Sequence, residues 1–266
     1  MKLFQVDAFA DRPFAGNPAG VCILSEGRPD SWMLNVAREM NLSETAFVMR
    51  QNDSYGLRWF TPKIEVPLCG HATLASAHIL WEEGIQASDI SIRFHTKSGM
   101  LRARRAGGRV EMDFPARHVE PVGPNNGINR SLQVTPLRTF NGTYAAKGDL
   151  FLLEVESEDV LKRIAPDYLR LQSTDAIGVI VTCRSSKLKY DFISRFFAPA
   201  AGVNEDPVTG VAHCYLAPYW GTKLGKKEMV GYQASDRSGV VYCLWEDERV
   251  WLGGAATTVF KAELLA

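Results

Sequence analysis

Glu65-Val66-Pro67-Leu68-Cys69-Gly70-His71-Ala72-Thr73 returns, altered but recognisable, as Glu205-Asp206-Pro207-Val208-Thr209-Gly210-Val211-Ala212-His213. Laid over one another, residues 65–110 and 205–250 agree without a gap in 9 of 46 columns; chance at this composition would give roughly three. The identities fall where backbone geometry is demanding, at a helix start (Gly70/Gly210, Ala72/Ala212) and a strand turn (Ser98/Ser238, Gly99/Gly239). Upstream, Arg58-Trp59-Phe60-Thr61-Pro62 resembles Arg195-Phe196-Phe197-Ala198-Pro199. The offset is about half the 266-residue length, so the chain reads as two diverged copies of one α+β unit.

Working outward, each copy has the same predicted order. A first helix over Asp30–Asn41 carries Met33, Val36, Ala37 and Met40 on one face, with Asp30 as its expected cap. Its counterpart is expected to begin near Ser157 and stop before Pro166. Strands follow at Thr45–Arg50 and Ala176–Cys183, then the Arg-aromatic-Phe strand, a proline-containing loop and a second helix. That helix is apolar nearly all round in both copies, which marks a buried helix rather than a surface one. In copy two Pro218 predicts a kink or an early end near Trp220. The strands that follow (Ile90–His95, Gly99–Arg105, Arg109–Phe114) return locally, which predicts mainly antiparallel pairing. The expected fold class is α+β, two pseudo-symmetric domains, each an antiparallel strand barrel around one buried helix. Residues 1–118 and 119–254 are the expected domains, with 255–266 packing back onto the first.

Lysine plus arginine equals aspartate plus glutamate at 30 each, so there is no electrostatic reason to bind nucleic acid or an anionic membrane. Arg102, Arg104 and Arg105 read as one solvated strand face. The N-terminal stretch lacks a signal-peptide core, and no apolar run of membrane-spanning length occurs. Five scattered cysteines with no CxxC pair point to a reduced, cytoplasmic protein. No HExxH or clustered Cys/His spacing, P-loop, G-x-S-x-G or G-x-G-x-x-G is present.

Chemistry is expected at the two glycine-led helix starts, where free amides and the helix dipole suit a carboxylate or an enolate-like oxygen. The copies differ there. Asp206 faces Val66, His71 faces Val211, and Cys69 faces Thr209. A buried helix has no packing use for Asp206 or His71 at its mouth, although Asp206 would also serve as a plain helix cap. Glu44, in Ser43-Glu44-Thr45-Ala46-Phe47, opens an expected buried strand, where an apolar setting raises a carboxyl pKa toward the range of a proton shuttle.

These residues resemble the phenazine-biosynthesis PhzF-like isomerase family, of the diaminopimelate-epimerase-like fold. The likeness is carried in order by Phe14-Ala15-Gly16-Asn17-Pro18-Ala19, Ser43-Glu44-Thr45-Ala46-Phe47, Cys69-Gly70-His71-Ala72-Thr73-Leu74 and Glu205-Asp206-Pro207-Val208-Thr209-Gly210, and it spans the whole chain. The resemblance implies a homodimer without metal or organic cofactor and a site in the cleft between the domains. It also implies isomerisation of a dihydro-hydroxyanthranilate by proton movement. Glu44 matches the base, and His71 and Asp206 match other site residues. Ser43, Cys69, Gly70, Gly210 and Val211 are the expected substrate-binding positions.

Val211 departs from the serine common in that family. The lost hydroxyl is worth roughly 1.5–3 kcal/mol toward a charged group, so a different small carboxylate-bearing substrate is expected. Epimerases of the wider fold use two thiols at these helix starts; Thr209 in the second position argues against that symmetric chemistry. Three readings follow: an isomerase with Glu44 as base, a one-thiol epimerase or dehydratase using Cys69, and a binding protein without turnover.

Overall fold

The structure is a computed structural model that describes residues 1–143 and 148–265. The chain divides into two compact units, Met1–Phe114 with Trp251–Ala266, and Pro115–Val250. Both divisions fall earlier than the 118 and 254 read from the sequence, because neighbouring contacts pull residues across. The Ala116 and Arg117 amides donate to the Glu248 and Cys214 carbonyls, while Trp251 lies 3.8 Å beneath the Arg104 guanidinium.

The first unit runs β1 (Lys2–Ala8), β2 (Asn17–Leu24), α1 (Asp30–Met40), β3 (Glu44–Gln51), β4 (Ser54–Phe60), β5 (Glu65–Val66), α2 (Gly70–Glu82), β6 (Ile92–Thr96), β7 (Gly99–Ala106) and β8 (Arg109–Pro115). The second runs β9 (Glu120–Val122), α3 (Asn126–Leu132), β10 (Arg138–Thr143), β11 (Asp149–Glu154), α4 (Glu158–Arg163), α5 (Tyr168–Gln172), β12 (Ala176–Arg184), β13 (Phe192–Ala198), β14 (Val203–Glu205), α6 (Gly210–Leu224), β15 (Glu228–Gln233) and β16 (Gly239–Glu246). β17 (Arg249–Gly254) leads back, and β18 (Ala256–Glu263) pairs antiparallel with β1.

The duplication extends to strand order. β1–β2 and β10–β11 are antiparallel, and β3–β4 and β12–β13 are antiparallel. Among the described residues four pairs are parallel: β2–β3, β4–β6, β11–β12 and β13–β15. Local strand returns account for the antiparallel majority. The parallel pairs were not foreseen, and each is bridged by helix, because a parallel neighbour needs a crossover long enough to carry the chain back. In the first unit α1 and α2 are the crossovers; in the second, α4 with α5, and α6.

α2 is enclosed: Ala72, Leu74, Ala75, Ala77, Ile79 and Leu80 expose none of their surface. Two helix-end expectations need correction. Asp30 does not cap α1; it is already the first helical residue, Pro29 occupies the cap position without a side-chain bond, and Asp30 pairs with Arg58 at 2.8 Å. α6 does not stop at Trp220. It passes through Pro218 to Leu224 and ends on left-handed Gly225. Pro218 has no amide for the Cys214 carbonyl four residues back, and the Arg117 amide fills that vacancy at 3.0 Å.

The motif Phe14–Ala19 has a backbone reason. Gly16 has φ +65°, and a Cβ there would lie 2.1 Å from the Ala8 carbonyl oxygen, so only glycine fits. Buried Asp7 ties this turn down by accepting from the Phe14 amide at 2.7 Å.

Candidate active site

In the first unit, the ends of β3 and α2 bring four of the expected residues together. Glu44 is the first residue of β3 and pairs in register with Ala19 of β2. Cys69 occupies the α2 cap position in an extended conformation and makes no side-chain cap bond. Its thiol lies 3.5 Å from His71 Nδ1 and 3.9 Å from Nε2. His71 Nε2 is 3.4 Å from a Glu44 carboxylate oxygen and 3.3 Å from Ser43 Oγ. Gly70, the first helical residue, is partly buried, and the leading amides of α2 have no acceptor within the helix.

Burial dominates the electrostatics of Glu44, whose side chain is 19% exposed. Removal from water pushes its carboxyl above the ordinary carboxylate range, partly offset by hydrogen bonds from Ser43 and Cys69, which favour the anion. The group is thus easier to protonate than a surface glutamate yet still supported when ionised, as reversible proton transfer requires.

Asp206, Thr209, Gly210 and Val211 belong to the second unit, where they form the head of α6. The Thr209 hydroxyl donates to the Asp206 carboxylate at 2.5 Å. Thr209 holds the cap position of α6 without a side-chain cap bond of its own. The organiser of this corner is Gln233, fully buried on β15. It accepts from the Thr209 amide at 2.9 Å and donates to the Asp206 carbonyl at 2.8 Å and the Thr209 hydroxyl at 3.0 Å. Sequence reading missed Gln233 because it lies a whole helix away along the chain. Gly210 and Val211 are both partly buried.

His213, one turn into α6, is fully buried. Its Nδ1 donates to the Thr209 carbonyl at 2.8 Å, and burial pushes its pKa from 6.5 down to about 4. A folded pKa below the unfolded one means that the unfolded chain takes up the proton first as pH falls. Stability is therefore complete above pH 6.5 and declines toward pH 4 by about 1.4 kcal/mol per unit. Urea denaturation across this range should show that slope, and His213→Asn should flatten it.

Four cysteines are packing groups. Burial pushes Cys22 up to about 11 and Cys183 and Cys214 up to about 12, and raises Cys243 as well; these thiols stay neutral. The basic run on β7 is not one solvated face. Arg102 is exposed, but Arg104 is half-buried between Glu111 at 2.9 Å and the Trp251 ring. A concavity of about 800 Å³ in the first unit is bounded by Arg50, Arg93, Arg102 and Trp251, and one of about 290 Å³ in the second by Arg117, Arg138 and Tyr219. Glu44, Cys69 and His71 line neither of them, so their claim rests on chemistry rather than on cavity size.

The first unit of this duplicated α+β chain thus holds a desolvated carboxylate beside an imidazole at a helix start. The profile of the phenazine biosynthesis-like protein family matches residues 6–262. A protein of Halalkalibacterium halodurans named as an uncharacterized isomerase is 50% identical, covering 99% of this chain and 98% of its own. A second, of Pseudomonas aeruginosa, is 45% identical with the same coverage. The crystal structure of a PhzF-family phenazine biosynthesis protein of Enterococcus faecalis superposes with a TM-score of 0.92 at 38% identity, covering 99% of each chain. The chain belongs to the phenazine biosynthesis-like family, with its diaminopimelate-epimerase-like fold, and is an enzyme of the isomerase type. Among the described residues no helix is long and apolar enough to cross a membrane.

Proposed function

We propose that the chain is a cofactor-independent isomerase that moves a proton within a small carboxylate-bearing substrate, with Glu44 as the shuttle. The observation that carries this reading is the Glu44 carboxyl, raised by burial and 3.4 Å from His71 Nε2. As carboxylate, Glu44 takes a proton from a carbon beside an unsaturated or carboxyl-bearing centre. The electron pair left behind spreads through that centre, and Glu44 returns the proton to another carbon. His71 holds the carboxylate in orientation and exchanges hydrogen bonds with it as its charge changes. The leading amides of α2 at Gly70 and His71 favour the developing negative charge. Asp206 and the amides at Gly210 and Val211 are assigned to substrate positioning on family resemblance, and Asp206→Asn tests that assignment separately. The proposal includes a homodimer, checked by light scattering, and a cytoplasmic setting, in keeping with five free thiols.

One observation favours a second reading. The Cys69 thiol is 3.5 Å from His71 Nδ1, a pairing that would serve a one-thiol epimerase or dehydratase. Both enzyme readings differ from a pure binding protein, which Val211 would suit. The test is a panel of small unsaturated carboxylic acids and amino acids incubated with the protein in D2O and followed by NMR. Deuterium entering an unsaturated acid, with Cys69→Ser keeping most of the rate, supports the Glu44 reading. Exchange at an amino-acid α-carbon that vanishes in Cys69→Ser transfers the role to the thiol. Ligands that bind but never exchange would leave a binding protein.

A further inference from the structure

The linear sequence holds no metal motif, yet folding gathers a thiol, an imidazole and a carboxylate whose ligand atoms all lie within 4.8 Å of one another. We propose that Glu44, Cys69 and His71 form a binding site for one soft divalent transition-metal ion, Zn²⁺ in the first place.

The distances carry the proposal. Zinc–ligand bonds of about 2.0–2.3 Å at tetrahedral angles place neighbouring ligand atoms about 3.3–3.6 Å apart. His71 Nε2 is 3.4 Å from the Glu44 oxygen, and Cys69 Sγ stands 3.5 Å from Nδ1 and 3.9 Å from Nε2, with one ligand atom of each residue inside 4.8 Å of the others, so a turn of the imidazole together with a shift of the thiol brings the three to the corners of a tetrahedron. The backbone explains why Cys69 and His71 meet although they are only two apart. Inside a helix that spacing turns side chains away from each other. Cys69, however, stands at the cap position with φ −147° and ψ 111°, outside the helical turn, and its thiol folds back toward the ring. The third ligand comes from a different element, the first residue of β3, and both ends of the trio are anchored in regular structure. Three ligands leave a fourth position open for water or a substrate carboxylate.

The donor set also selects the ion. One sulfur, one nitrogen and one carboxylate suit Zn²⁺, Co²⁺ or Ni²⁺, whereas Mg²⁺ and Ca²⁺ require several oxygens. Because the metal would occupy Glu44 itself, binding blocks a shuttle that must be free to exchange its proton. The ion is therefore an inhibitor of proton transfer rather than its agent. The site stands or falls on binding alone, whatever the reaction.

The experiment is titration of the full chain with Co²⁺ followed by displacement with Zn²⁺. The expected result is one cobalt per chain, a thiolate-to-cobalt charge-transfer band in the near ultraviolet and visible bands of tetrahedral strength, all bleached by zinc. Cys69→Ser should abolish the charge-transfer band. Glu44→Gln and His71→Asn should each weaken binding at least about tenfold, with circular dichroism showing that the variants are folded. If Cys69→Ser does not fold, those two titrations decide. No cobalt taken up by the unaltered chain, a charge-transfer band surviving in Cys69→Ser, or unchanged affinity in both other variants overturns the proposal.

Discussion

Glu44→Gln should lower deuterium exchange into a turned-over substrate by about two to four orders of magnitude, the usual contribution of a positioned acid–base group. Glutamine keeps the shape and accepts similar hydrogen bonds, but it cannot carry the proton. The loss should therefore appear in kcat, with KM little changed. The pH profile gives an independent check. Desolvation raises the Glu44 carboxyl, so the acid limb of the wild-type rate should lie above the ordinary 4.5 of a glutamate, rising with pH as the carboxylate forms. The stability consequence has the opposite sense. The folded state holds this proton more tightly than the unfolded chain, so ionising Glu44 at neutral pH works against folding, and Glu44→Gln should be at least as stable as the native chain there. A folded variant that retains its exchange rate would remove Glu44 from the role of base.

Arg195→Ala should be strongly destabilising, by about 3–5 kcal/mol. Arg195 makes a two-pronged pair with Glu205 at 2.7 and 2.8 Å, donates to the Leu161 and Ile164 carbonyls at 3.2 and 2.8 Å, and lies over the Phe197 ring. The side chains of Arg195 and Glu205 are 12% and 16% exposed, so truncation strands a largely buried carboxylate together with two carbonyls. The duplicated partner supplies the control. Arg58 grips Glu65 with the same two-pronged geometry, at 2.8 Å twice, and lies over Phe60. Arg58 is more exposed, at 33%, and Glu65, although only 11% exposed, keeps a second cation in Lys97, so Arg58→Ala leaves the carboxylate paired and should cost about 1–2 kcal/mol. Urea denaturation of the two variants measures the difference. Equal losses would show that neither the second cation at Glu65 nor the exposure of the arginine sets the value of these pairs.

The paired arginines illustrate what the repeat made legible. Glu65/Glu205 appeared as an aligned identity and the two arginines as parts of a strand motif, but only pairing of β4 with β5 and β13 with β14 shows why each arginine is needed. It locks the hairpin that precedes a central helix. The existence of α1, α2, α4 and α6, the glycine-led starts of α2 and α6 and the buried strand opened by Glu44 could likewise be read directly, because periodicity and cap chemistry are local, whereas α3 and α5 were not foreseen. Parallel strand pairing could not be read directly. It depends on which strands a crossover helix returns to, and nothing within either strand records that. The continuation of α6 through Pro218 was hidden for a similar reason: the donor that satisfies the Cys214 carbonyl comes from Arg117, far back along the chain.

At the site the division is sharper. The sequence alone determined that the two copies have diverged at their helix starts, and it singled out Glu44, Cys69, His71 and Asp206 as candidates for chemistry, because a buried element has little use for such groups. Tertiary structure alone decided who meets whom. It set Glu44 and Ser43 against His71 although β4 and β5 intervene in the chain, turned Cys69 out of the helical path onto the same ring, and placed Gln233 behind Thr209 and Asp206. Residue types and cap signals act over a few positions, whereas desolvation, ligand geometry and the raised Glu44 carboxyl come from neighbours that only folding supplies.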